Sequence, residues 1–209
     1  AVAATVICVI ACALLVVGEW RHLAALRIAA KVTASAAFIV VAADVTAGHP
    51  FAVWMIVGLV FGAIGDVFLL GRGKQMFLAG LVAFLIGHLA YVVGMMHLVD
   101  PASWLAKGGF YAAIPIVVGV AALIRLWPKL GSLRIPVIIY VAAIVLMVVG
   151  AIAAGRASTL PAPQRAWLVV GAALFFVSDL AVARDRFVAR ELSNRLWGLP
   201  AYYAGQLLI

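Results

Sequence analysis

At 209 residues, with 68% hydrophobic residues, only 11% charged and a mean hydropathy of +1.25, the chain is excluded from the soluble globular class, where charged residues reach roughly 25%. A formal net charge of +8 does not point to nucleic acid here. The basic residues sit in short turns between apolar runs, where orientation in a bilayer puts them.

The length accommodates about eight spans of roughly 20 residues each. In chain order the apolar runs predict spans near 1–18, 28–47, 51–70, 76–98, 109–127, 134–154, 166–184 and 195–209. The fold class expected is therefore all-α, a polytopic membrane bundle forming one domain over residues 1–209. The first run carries Cys8 and Cys12; adjacent turns of one helix are poor disulfide geometry, and two thiols alone are a weak metal site, so both are read as small apolar residues. That run has no basic leader and no A-x-A site before Glu19–Arg21, unlike a signal peptide. The chain begins without Met and stops inside an apolar run, as a trimmed sequence would. Pro101, Pro128, Pro161 and Pro163 fall in turns, while Pro115 and Pro136 fall in or near first helical turns, where the missing N–H does little harm. Gly58-x-x-x-Gly62 offers a close-packing face in span 3. The chain carries no convincing internal repeat, which argues against an inverted-repeat transporter.

Most of the 15 Lys and Arg residues lie in the turns after spans 1, 3, 5 and 7; the other turns hold only Lys107, Arg156 and Arg165. The positive-inside rule thus predicts cytoplasmic odd-numbered turns and an N-terminus outside, in a plasma membrane such as the bacterial inner membrane.

Against this oily background three residues stand out. Asp66 sits in GLVFGAIGDVFLL, His88 in LVAFLIGHLAY and Asp179 in GAALFFVSDLAVA. Ionisable groups inside membrane spans are costly and point to function by default. In the predicted topology Asp66 lies about 9 Å along its helix from the basic turn at Arg72, and Asp179 lies at nearly the same depth. Lys31 enters span 2 from the same side, and Tyr140 follows in span 6. His88, Tyr202, Tyr203 and Gln206 lie nearer the middle, so these residues can line one pocket open to the cytoplasmic leaflet. Phe77, Gly80, Phe84, His88, Tyr91 and Met95 follow helical steps down one face of span 4. The bland readings compete: a packed core histidine for His88, ion pairs with Lys31 or Arg72 for Asp66, and a pair with Arg184 for Asp179. Ser178 lacks the surroundings of a nucleophilic serine. Tyr202 or Tyr203 can share a face with Gln206 and hold a polar headgroup. His22, His49 and His97 belong to turns on both sides, so no metal site is expected.

Four ordered motifs then carry a resemblance: G-D-V-F-L-L at 65–70, F-L-x-G-L-x-x-F-L-x-G-H-x-x-Y at 77–91, L-F-F-x-S-D-L-x-x-A-x-D-R-F at 174–187 and Y-Y-x-x-Q-x-L-I at 202–209. With Lys31 opening span 2, the sequence resembles the YhhN/TMEM86 family, multi-span membrane proteins whose characterised animal members are lysoplasmalogenases. Departures are Val32 where the family commonly has Pro, Asp185 for Asn and Gly205 for Ala.

The resemblance implies hydrolysis of the 1-alkenyl vinyl ether of a lysophospholipid, with no metal or organic cofactor. Protonation of the alkene carbon gives an oxocarbenium ion, water adds, and the hemiacetal collapses to fatty aldehyde and glycerophospho-base. One neutral carboxylic acid and one carboxylate suffice, as in glycosidases. Asp66 and Asp179 are the expected pair, His88 orients water or shuttles protons, and Lys31, Tyr140, Tyr202, Tyr203 and Gln206 bind the headgroup. The competing readings are a small transporter or lipid-binding protein using the aspartates as a proton relay, and a non-catalytic scaffold. The relay needs a polar path to the outer face, and the scaffold needs polar residues that share no cavity.

Overall fold

The computed structural model describes residues 1–45, 50–71 and 73–209. His49 and Arg72, which the sequence reading placed in turns, lie outside the described residues. The described chain folds as helices α1 (Val2–Trp20), α2 (Ala24–Val45), α3 (Pro50–Leu70), α4 (Lys74–Met96), the short α5 (Trp104–Gly108), α6 (Phe110–Leu126), α7 (Arg134–Ala157), α8 (Ala162–Phe187) and α9 (Leu192–Leu208). Seven of these are long and apolar enough to cross a membrane. The last expected span is α9, whose 17 residues reach about 25 Å, the same as α6 and shorter than the other long helices.

Several helices begin or end beyond the apolar runs. α2 starts four residues ahead of the expected span and α8 runs on to Phe187. Hydropathy marks the bilayer core, whereas a helix continues into the interface, where arginine stems lie along apolar surface and their heads reach water. As a result Arg27 and Arg186, outside the expected spans, are helical.

Sequential hairpins build the bundle: α1 packs on α2, α3 on α4 and α8 on α9, with α7 joining α4 to α8 and α1 closing against α9. α7 is the central element, and Met147, Ala151, Ala153 and Ala154 on it are fully buried. α6 packs against α7 at the periphery, and its outer face presents Val117, Val120 and Ile124. Such a lipid-facing surface is what an apolar solvent permits.

The α3–α4 seam is a close helix contact that bears on the site. A methyl group at Gly58 would lie 2.2 Å from the ring of Tyr91, and one at Gly65 would lie 2.7 Å from the ring of Phe84. At Gly62 it would meet Gln206 Nε2 of α9 at 2.5 Å. Small residues let these backbones and rings approach, as expected where packing rather than water drives association. The face chosen by that seam turns Asp66 inward. Gly58→Ala is therefore expected to lower the unfolding free energy by about 1–3 kcal/mol, the usual cost of overpacking, in denaturant unfolding monitored in detergent. An unchanged midpoint would show that Tyr91 yields freely.

Candidate functional site

Lys31 and Ser35 are one turn apart on α2 and so share a face. Both reach Asp66, close to the end of α3: Lys31 Nζ lies 2.7 Å from Oδ1, and Ser35 Oγ donates to Oδ2 at 2.6 Å. Asp66 is only 2% exposed. A buried charge without partners would cost several kcal/mol; here both carboxylate oxygens are engaged.

The second carboxylate has different neighbours. Tyr140 OH on α7 donates to Asp179 Oδ2 on α8 at 2.8 Å, and His88 Nε2 on α4 faces the same oxygen at 3.5 Å, beyond ordinary hydrogen-bond length. His88 is wholly buried, lying 4.7 Å from the Phe175 ring and 5.2 Å from the edge-on Tyr140 ring, centroid to centroid. The aromatic walls fix its plane, so its Nε2 is aimed at Asp179.

Both carboxylates line one cavity of about 870 Å³, together with Lys31, Tyr140 and Tyr202. Apolar side chains from α4, α7 and α8, among them Phe84, Ile144 and Phe176, form its inner wall. The cavity reaches the end of the bundle where α1, α3 and α8 finish and α2, α4 and α9 begin. There its rim carries Glu19, Arg27, Asp185, Arg186, Arg190 and Arg195. His88 and Gln206 lie behind the wall. Gln206 accepts from Tyr91 OH at 2.7 Å and donates to Tyr202 OH at 3.1 Å, so it steadies one wall residue from the rear. Tyr203 is buried against Tyr202 and Phe38. Further along α4 and α7 the packing is apolar, with Met95, Met147, Val148 and Trp104 buried. Among the described residues no three His, Cys, Asp or Glu side chains gather as a metal site.

The sequence reading did not single out Ser35 or the rim. Ser35 was signalled by its spacing of four from Lys31. Glu19 accepts from Arg27 Nε at 2.8 Å and is ion-paired with Arg195, which also lies 3.6 Å from Asp185. This network ties α1, α2, α8 and α9 together at the mouth. Asn194 Nδ2 adds a bond to the Ala189 carbonyl at 2.7 Å. Glu19→Gln is expected to cost roughly 1–3 kcal/mol of stability, below the range for fully buried pairs because both arginines keep solvent contact. Thermal unfolding in detergent reads this, and no shift would mean the arginines relax into water. Arg184 pairs instead with Glu191 at 3.0 Å and not with Asp179.

Comparison with known proteins agrees with the motifs around these residues, since residues 26–209 match the YhhN family. The chain belongs to the YhhN family. Lysoplasmalogenase TMEM86A of Bos taurus is 33% identical over 170 residues, 77% of this chain and 65% of that protein. A lysoplasmalogenase of Mycobacterium bovis is 33% identical over 163 residues, 75% of this chain and 58% of that protein. Lysoplasmalogenase TMEM86A of Homo sapiens is 33% identical over 168 residues, 77% and 65% respectively. The chain thus spans less than two thirds of the length of these relatives. No solved structure matches it. As a YhhN family protein it is an integral membrane helical bundle, and Asp66, His88, Asp179 and Gln206 lie inside the matched region.

Proposed function

We propose that this protein is a membrane-embedded hydrolase that cleaves the vinyl ether of a lysoplasmalogen to a fatty aldehyde and a glycerophospho-base. One observation carries the reading: two carboxylates in different electrostatic settings line a single cavity with an apolar wall and an arginine-rich mouth. That shape suits a lipid with one chain and a phosphate headgroup. The names of the relatives support the same substrate class.

The settings divide the roles. Asp66 faces the Lys31 ammonium and serves as the carboxylate. Asp179 faces a phenol and an imidazole and serves as the acid. Asp179 gives its proton to the alkene carbon remote from the ether oxygen, leaving an oxocarbenium ion. Asp66 takes a proton from water as the water oxygen bonds to the cationic carbon. The resulting hemiacetal breaks its bond to the glycerol oxygen, which takes the proton gained by Asp66 and leaves as the alcohol, while the hydroxyl proton passes back to Asp179 as the aldehyde forms. His88 and Tyr140 orient Asp179 and can return a proton to it. General acid and base steps of this kind contribute about 10²–10⁴-fold each.

The buried apolar packing beyond His88 supports an enzyme over a proton relay, which needs polar groups continuing to the other end. The shared cavity likewise speaks against a scaffold. Incubating the purified protein with 1-alkenyl glycerophosphocholine or glycerophosphoethanolamine should release fatty aldehyde and glycerophospho-base in equal amounts. Absence of aldehyde with a folded protein ends the proposal.

The mouth is further proposed to face the cytoplasm, because most basic residues lie at that end. Impermeant thiol reagents applied to intact cells should label Lys107→Cys and spare Lys129→Cys; the native Cys8 and Cys12 are buried. The reverse pattern would invert the topology.

A further inference from the structure

The rim charges are not equally occupied. Arg27 and Arg195 are held by Glu19 and Asp185, Lys31 by Asp66, and Arg184 by Glu191. Arg186 and Arg190 line the same cavity, yet neither has a carboxylate partner within ion-pair distance among the described residues. They are four apart in sequence, at the end of α8 and just beyond it. The guanidinium of Arg186 lies over the Phe77 ring, 4.4 Å from its centroid, and Phe77 is in turn braced edge-on by Phe187 at 5.9 Å. A cation held by a ring face keeps its N–H groups free for another acceptor, and the planar guanidinium suits phosphate oxygens. Lys31, the cation the sequence suggested for phosphate, is committed to the deeper carboxylate.

We infer that Arg186 and Arg190 form an anion subsite at the cavity mouth that takes the phosphodiester of a single-chain phospholipid whose chain occupies the apolar interior. This rests on the lysophospholipid reading above and adds the residues that select the headgroup. The phosphate would anchor the lipid at the rim, with the bond next to glycerol carried inward toward Asp66 and Asp179. Recognition falls on the phosphate, which a neutral glyceryl ether of the same chain lacks.

The test is binding to the protein in nanodiscs of zwitterionic lipid, with a non-hydrolysable 1-O-alkyl glycerophosphocholine and the matching 1-O-alkyl glycerol as probes. Arg186→Gln and Arg190→Gln should each weaken the phosphate-bearing probe by about tenfold, the worth of a charge-assisted contact, and leave the alkyl glycerol unchanged. Arg186→Lys keeps the charge and the ring contact and should retain part of the affinity. Equal losses for both probes, or no loss for the phosphate probe, overturn the subsite. A second arm adds phosphatidylglycerol to the nanodisc. Unchanged probe affinity supports a ligand phosphate, whereas competition assigns the two arginines to bilayer headgroups and overturns the proposal. Because binding is read without turnover, arginine-dependent binding with no aldehyde release removes the hydrolase reading alone. Aldehyde release indifferent to both arginines removes the subsite alone.

Discussion

Asp179→Asn is expected to lower aldehyde release by about 10²–10⁴-fold while leaving the fold nearly as stable as before. Asn keeps the volume and its carbonyl can still accept from Tyr140 OH, so at most a net hydrogen bond of about 1 kcal/mol is at stake. What it cannot do is give a proton to carbon. His88 would face an amide instead of a carboxylate, which strands no fixed charge. Activity assays alongside thermal unfolding in detergent read both quantities. Full activity in Asp179→Asn would move the acid role to His88, and a collapse of stability would mark the residue as a structural anchor.

Asp66→Asn should lose activity to a similar extent but behave differently in the melt. It leaves the Lys31 ammonium, 11% exposed, facing an amide, and breaking one side of a buried pair costs about 3–5 kcal/mol. The double variant Lys31→Met/Asp66→Asn separates the two effects. Removing both charges should recover most of the stability, since apolar replacement of a buried pair is often neutral, while aldehyde release stays abolished. Recovery of both would show that Asp66 serves only to hold α2 against α3. The two single variants should also each remove one limb of a bell-shaped pH–rate profile if the carboxylates act as an acid/base pair.

The helices were legible because a bilayer demands long apolar runs, and the departures lie where that demand ends. The Pro101–Gly108 segment, a short helical turn followed by α5, carries no span-length run and so has no signature in hydropathy. In the site, ionisable residues were conspicuous by their rarity: Asp66, His88 and Asp179 stood alone among aliphatic neighbours. Periodicity correctly grouped the stripe from Phe77 to Met95, all of it buried on α4. It could not say how near one helix comes to another. Thus Gln206, expected at the headgroup, is engaged by Tyr91 behind the wall, because Gly62 draws α9 close to α3. Ser35 stands out only once its partner Asp66 is known, since a serine in a membrane helix is otherwise unremarkable. Glu19 and Arg195, 176 residues apart, meet only in the folded bundle.

That last pairing bears on where the working unit begins. The family match starts at residue 26, inside α2, so a chain trimmed to the match would discard α1 and Glu19 with it. Arg27 would then join Arg186 and Arg190 as an unneutralised cation around one opening, Arg195 would keep only its longer contact to Asp185, and the inner faces of α2 and α9 that α1 covers would be laid bare. Truncation is judged by what the removed backbone buries and bonds. By that measure α1 is part of the machine, although the matched boundary leaves it out.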